Sequence, residues 1–221
     1  MTETKVFEIL AKEIERISVQ KDKPIRVAIN GIEGTGKTVF TNKFSQFLKA
    51  KGKNALHLSI DGFHFNKSHR YQKGRDSAEG YYKDSYDEQS FTDKVLLSSQ
   101  ENPPKITRAT HDLETDEYLM LSPIEIVNDT ILITDGAYLF KPIYRMHWDL
   151  KVYLKTDFKT AFYRGIKRDA DFLGGIEIAK KKFSNRYHQA SQMYIAENNP
   201  EAQADIVIDN TDFEDLKIRK M

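Results

Sequence analysis

The chain has no cysteine among its 221 residues. That excludes disulfides, thiolate metal centres and cysteine nucleophiles, and leaves any chemistry to oxygen, nitrogen and carboxylate groups. Charge of one sign is lacking as well: 34 Lys and Arg face 33 Asp and Glu, a formal net charge of +1. Proteins that track a nucleic-acid backbone or an anionic lipid surface carry a basic excess, so neither partner is expected. No stretch approaches the roughly 20 apolar residues of a membrane helix. The opening MTETKVFEILAKEIERISVQ interrupts Phe7, Leu10, Ile14 and Ile17 with Glu and Lys. This is a helical stripe rather than the unbroken apolar core of a signal peptide, and it predicts a docking helix over 1–20 of a cytoplasmic protein. Repeats and low-complexity tracts are absent. At 39% hydrophobic and 30% charged residues, the composition is that of a packed domain, and the length suits one α/β unit over 1–221.

Five short apolar runs punctuate the chain: IRVAI (25–29), ALHLSI (55–60), TILIT (130–134), KVYLK (151–155) and DIVID (205–209). Between them lie helical spacings such as Phe40, Phe44, Phe47 and Leu48. Strands alternating with helices predict an α/β fold, a parallel sheet of about five strands flanked by helices. Ligands of such sheets bind at the carboxyl ends of the strands. The aromatic, charged and glycine-bearing tract starting at 61 and running to about 110 reads as an acceptor-binding insertion, and about 158–200 as a helical lid.

Directly after the first run comes Gly31-Ile32-Glu33-Gly34-Thr35-Gly36-Lys37-Thr38, which satisfies the phosphate-loop pattern G-x-x-x-x-G-K-[ST]. The glycines let backbone N–H groups from Gly31 through Gly36, those of Glu33 and Thr35 included, turn toward phosphate oxygens. Lys37 bridges the terminal phosphates, and the Thr38 hydroxyl suits Mg²⁺. A strand before the loop and an amphipathic helix after it predict a P-loop NTPase fold that uses ATP or GTP with Mg²⁺. Two further runs end in aspartate: LSIDGFHF places Asp61, and ILITDGAYLF places Asp135, at the same sheet edge as Lys37. Phosphoryl transfer needs a carboxylate to take the acceptor's proton and another to hold the metal or its waters. A bare Asp-Gly turn after a strand is the plainer alternative for either one.

These segments resemble a known family. GIEGTGKT, SIDGFHF, SAEGYYKDSYD, ITDGAYLF, the helix with YRGIKRD, and the closing ADIVIDN follow in the order seen in the uridine kinase and phosphoribulokinase group of P-loop kinases. The resemblance spans roughly 25–210. It implies that Asp61 is the base facing the acceptor hydroxyl and that Asp135, a shorter acid at the family's Glu-Gly turn, organises magnesium. The sequence departs from uridine kinases in the lid, where Phe172-Leu173-Gly174-Gly175-Ile176-Glu177 follows Arg168-Asp169, and at Thr107-Arg108-Ala109-Thr110-His111-Asp112. DGFH is shared with pantothenate kinase-like members.

Arg164 and Arg168 lie i, i+4 on a helical segment, so they project from one face. Such a pair can clamp nucleotide phosphates and the transferring group, and Arg186 can extend the clamp. Candidate acceptor residues are Asp61, Phe63, His64, Tyr71, Arg75, Tyr81, Tyr82, His111 and Arg186, suited to stacking on or hydrogen-bonding a planar or sugar-like ligand. His64 and His69 lack the spacing and third ligand of a structural metal site. The expected activity is ATP-dependent transfer to a small-molecule hydroxyl, with the 5′-hydroxyl of uridine or cytidine first and a pantothenate-like compound or sugar next. A nucleotide-dependent switch or ATPase module is the other class. A GTPase would carry Asn-Lys-x-Asp, which Asn66-Lys67-Ser68-His69 and Asn42-Lys43-Phe44-Ser45 do not satisfy. Self-association is left open.

Overall fold

A computed structural model describes residues 1–221. The strands are β1 (Ile25–Asn30), β2 (Ala55–Ser59), β3 (Lys105–Ile106), β4 (Ile124–Glu125), β5 (Ile131–Gly136), β6 (Leu150–Lys155), β7 (Ile206–Asp209) and β8 (Lys217–Lys220). Six of them form one sheet in the order β2-β5-β1-β6-β7-β8, while β3 and β4 pair separately. The five expected runs supply the parallel strands β1, β2, β5, β6 and β7. The sixth, β8, runs antiparallel to β7. Its sequence KIRK has a single apolar residue, so no hydrophobic run announces it. The charge suits an edge strand, where it discourages further pairing.

Besides four short 3-10 or π segments, ten α-helices lie between and around the strands: α1 (Glu3–Ser18), α2 (Lys37–Ala50), α3 (Lys67–Arg70), α4 (Ala78–Asp84), α5 (Glu88–Phe91), α6 (Pro142–Arg145), α7 (Phe158–Leu173), α8 (Ile176–Lys182), α9 (His188–Asn198) and α10 (Pro200–Gln203). Alternation along the central strands sends side chains to two cores. Val27, Ile29, Ile131 and Ile133 pack with α1 and α2, where the Phe7 ring lies 5.2 Å from Phe40 and 5.3 Å from Phe44. Ala28 and Leu132 face the other way, onto Phe63, Phe91, Tyr138, Phe140 and Tyr194. A third, small cluster of Ile166, Ala170, Ala179 and Phe183 holds α7 against α8. No helix is long and apolar enough to cross a membrane.

Parallel pairing brings the ends of β1, β2 and β5 to one edge: Asn30 stands opposite Gly136, and Ser59 opposite Asp135. Asn30 is fully buried, accepts a hydrogen bond from the Gly31 N–H (3.0 Å) and donates to the Tyr194 hydroxyl (2.6 Å). The root of the phosphate loop is thereby tied to both the sheet and α9.

Candidate active site

The phosphate loop turns where only glycine turns easily. Gly34 and Gly36 sit at φ 86° and 96°, in the left-handed region that costs other residues 1–2 kcal/mol or so. A Cβ on Gly34 would also lie 2.0 Å from the Ala161 carbonyl oxygen, so the first turn of α7 seals the back of the loop. Gly36 caps α2 without a side chain, leaving that helix's first N–H groups and its positive dipole end free for an anion. Lys37 begins the helix, is 8% exposed, and donates to the Ile32 carbonyl (3.0 Å) with Glu33 Oε2 at 4.0 Å.

A cavity of about 120 Å³ opens over this turn, lined by Glu33, Gly34, Gly36, Lys37, Thr38, Asp61, Asp135, Gly136, Ala137 and Arg168. The structure therefore brings together the phosphate-loop lysine, both strand-end aspartates and one arginine of α7 from four separate stretches of chain. Asp61 is exposed where it lines the cavity, yet protein surrounds it at longer range. Burial, followed by the Glu33 and Asp135 charges, pushes its carboxyl up to about 6. The Tyr86 hydroxyl donates to its Oδ1 (3.1 Å). Glu33 is equally enclosed, but Lys37, Arg168 and the Tyr81 hydroxyl, which donates to Oε1 at 2.9 Å, outweigh burial and hold its carboxyl below the ordinary value. Two tyrosines of one insertion thus each orient one cavity carboxylate. Beside them His64 donates from Nδ1 to the Asp61 carbonyl (2.9 Å), and burial drives its basicity down to about 4, so the ring is neutral at physiological pH.

Asp135 is held at both oxygens. Thr38 Oγ1 donates to Oδ2 (2.7 Å), and His57 Nε2 lies 2.6 Å from Oδ1. A threonine hydroxyl and a carboxylate side by side at the end of a phosphate loop are hard oxygen donors of the kind Mg²⁺ takes.

The two i, i+4 arginines part company. Arg168 lines the cavity and is paired with its neighbour Asp169 (Nη2 to Oδ2, 2.8 Å). Arg164 instead donates to the carbonyls of Asn210 and Thr211, both at 2.8 Å, with its guanidinium 3.5 Å from the Phe213 ring centroid. Asn210 in turn donates to the Thr35 carbonyl (2.8 Å). Arg164, Phe213 and Asn210 therefore bracket the outer side of the phosphate loop, the half-exposed Phe213 ring lying 3.4 Å from where a Gly36 Cβ would be. Phe213 carries no motif and Asn210 only closes the ADIVIDN segment, so the tertiary arrangement is what shows their place beside the loop.

Several acceptor candidates stand elsewhere. Phe63 is fully buried edge-on to Phe91 at 5.2 Å, a core position. Tyr82 is buried, with its hydroxyl donating to Glu197 (2.6 Å) and Lys141 Nζ 4.2 Å from its ring. Arg186, expected in the clamp, is 2% exposed and donates to the carbonyls of Arg75 (2.9 Å) and Ser77 (3.1 Å) between the Tyr71 and Tyr81 rings. It fastens the turn before α9 to the chain leading into α4, because a guanidinium this buried needs its donors filled. Arg75 lies exposed, 5.5 Å from the Tyr71 ring. His111 is buried with Nε2 3.4 Å from Asp116 Oδ1, an oxygen that also takes Arg70 Nη2 at 3.2 Å. His57 is a further site residue that no sequence pattern marks, and Tyr86 lies within the SAEGYYKDSYD segment without being singled out by it.

The Phosphoribulokinase / Uridine kinase family profile matches residues 26–217. The chain belongs to that family. It is a P-loop small-molecule kinase that uses a nucleoside triphosphate, with the α/β fold of the group. A uridine kinase from Leuconostoc citreum (strain KM20) is 25% identical over 155 residues, 69% of this chain and 71% of that protein. Among solved structures, one described as a possible uridine kinase from Bacillus stearothermophilus superposes with a TM-score of 0.67 at 21% identity, covering 90% of this chain and 98% of the other. The D-glycerate 3-kinase from Cryptococcus neoformans var. grubii serotype A superposes at 0.59 with 9% identity and 99% of each chain covered. At these identities the structures share the kinase's fold and say nothing about its acceptor.

Proposed function

We propose that this kinase moves the terminal phosphoryl group of ATP, bound with Mg²⁺, to the 5′-hydroxyl of uridine or cytidine. The observation that carries the phosphotransfer is Asp61, its carboxyl raised to about 6, facing the same small cavity as Lys37. A base of that strength is ionised at neutral pH and still basic enough to take a hydroxyl proton. The acceptor O–H gives its proton to Asp61 as the oxygen bonds to the terminal phosphorus, and the bond to the bridging oxygen breaks toward the nucleoside diphosphate. Lys37 and the N–H groups at the start of α2 hold the phosphates in line, while Arg168 faces the charge on the transferring group. Thr38 and Asp135 would hold Mg²⁺, which when bound neutralises phosphate charge.

Uridine and cytidine are favoured by the Leuconostoc relative and by the order of motifs. A second reading, another small alcohol such as a sugar or a pantothenate-like compound, is favoured by the lid, from which only Arg168 lines the cavity. The test is ADP release from ATP and GTP with and without uridine, cytidine, pantothenate, sugars and glycerate at millimolar concentration. Stimulation by uridine or cytidine, with a 5′-monophosphate formed, is expected. Stimulation by another alcohol alone would move the acceptor assignment. No stimulation by any alcohol would overturn phosphotransfer.

A further inference from the structure

We infer that His57, backed by Asn42, is a positioning residue that fixes Asp135 for the magnesium of the bound nucleotide. The inference rests on the assignment of Thr38 and Asp135 to that metal and adds a residue that no phosphate-loop or strand-end pattern contains.

The geometry is a closed ring. Thr38 and Asn42 lie four apart on α2, one turn apart on one face. On the sheet, Ser59 of β2 stands opposite Asp135 of β5, so His57, two residues earlier, points to the same face as Ser59. Thr38 Oγ1 bonds Asp135 Oδ2 at 2.7 Å, His57 Nε2 meets Asp135 Oδ1 at 2.6 Å, and His57 Nδ1 meets the Asn42 amide at 2.8 Å. The helix turn between Thr38 and Asn42 closes the circuit. The Asp135 side chain is 2% exposed and that of His57 is 17% exposed.

A carboxylate that deep needs its oxygens engaged, and one with two possible rotations would present either oxygen to the nucleotide. Thr38 alone leaves that rotation free, since a hydroxyl follows whichever oxygen it meets. The imidazole supplies the second fixed point, and Asn42 sets the plane of the ring. Partners of this kind behind metal-organising ligands typically carry 10- to 100-fold in metal affinity. The ring also ties α2 to β2, and a purely structural tie is the alternative to be separated.

The experiment reads binding of a fluorescent ATP analogue to the whole chain, titrated with Mg²⁺ and repeated in chelator, for wild type, His57→Leu, His57→Gln, Asn42→Ala and Asp135→Asn. His57→Leu should raise the Mg²⁺ midpoint by about 10- to 100-fold and leave metal-free affinity unchanged. His57→Gln, which can still donate an amide N–H to Asp135, should regain most of the loss. Asn42→Ala, at an exposed position on α2, should shift the midpoint in the same direction by less, and it carries the test should the leucine variant fail to fold. If Asp135→Asn shifts the midpoint while His57→Leu and Asn42→Ala do not, His57 is only a structural tie and the inference is overturned. If Asp135→Asn leaves the midpoint unmoved, the magnesium assignment falls first and this inference with it.

Discussion

A carboxylate that takes a proton near neutrality has to be less acidic than one in water, and the surroundings of Asp61 make it so. Burial comes first, then the negative charges of Glu33 and Asp135, against which Lys37 and the Tyr86 hydroxyl act more weakly. Because the base proposed at Asp61 must be ionised to work, kcat/KM for the nucleotide, which reports the free enzyme, should fall as pH drops through about 6. Glu33→Gln removes one of the two charges that raise Asp61, so the acid limb should move to lower pH. An unmoved limb would mean that another group governs it. The same residue separates a kinase from a nucleotide binder: Asp61→Asn keeps size and most hydrogen bonding but not basicity, and should lower kcat by about 10²–10⁴-fold with little change in ATP affinity. Lys37→Ala should lower kcat by about 10²–10³-fold, the scale for losing one donor at developing charge, with an unfolding midpoint near wild type since Lys37 faces the cavity. Wild-type turnover in either variant refutes the corresponding role.

At the scale of elements, α7 and α8 form a hairpin whose small core is set by one glycine. A Cβ on Gly165 would lie 2.1 Å from two atoms of the Phe183 ring, and Phe183 is fully buried among Ile166, Ala170 and Ala179. Gly165→Ala should therefore cost about 1–3 kcal/mol locally and displace Arg168, one turn further along. Amide hydrogen exchange should show lost protection over 166–183 with β1 and β5 unchanged, and unaltered protection of that hairpin would refute the clash. Much of this level was legible in the chain. The five parallel strands are continuous apolar runs because both faces of the sheet are covered, and α2 announces itself by its Phe spacing. β8 was not legible because a charged edge strand has no such run, nor were β3 and β4, two residues each. The spacing of Arg164 and Arg168 gave the helix face but not their separate partners, since Asn210, Thr211 and Phe213 come from a loop more than 40 residues away. His57 looks like any histidine in a strand until Asp135 and Asn42 converge on it, and Arg186 and Tyr82 look functional until their burial is known.

For the molecule as a whole, the sheet divides labour between its two ends and its two cores. The cavity lies at the carboxyl edge of the strands, whereas α1 closes the core on one face, with Phe7 4% exposed and packed against Phe40, Phe44 and Phe47. Removing that ring leaves a void among three other aromatics and should cost about 3–5 kcal/mol, a large share of the 5–15 kcal/mol or so that holds a domain folded. No atom of Phe7 lines the cavity, so nucleotide affinity of the folded Phe7→Ala protein should stay near wild type. Binding then returns part of what packing lost: a ligand at about 100 times its Kd stabilises by about 2.7 kcal/mol. Urea unfolding of Phe7→Ala, without and with saturating ATP and magnesium, should show a lowered midpoint that the nucleotide partly restores, with the same slope in both curves. In Phe7→Ala combined with Lys37→Ala, restoration should shrink because the stabilisation enters through the phosphate loop. If the nucleotide rescued the double variant as well as the single one, the phosphate loop would not be where binding couples to folding.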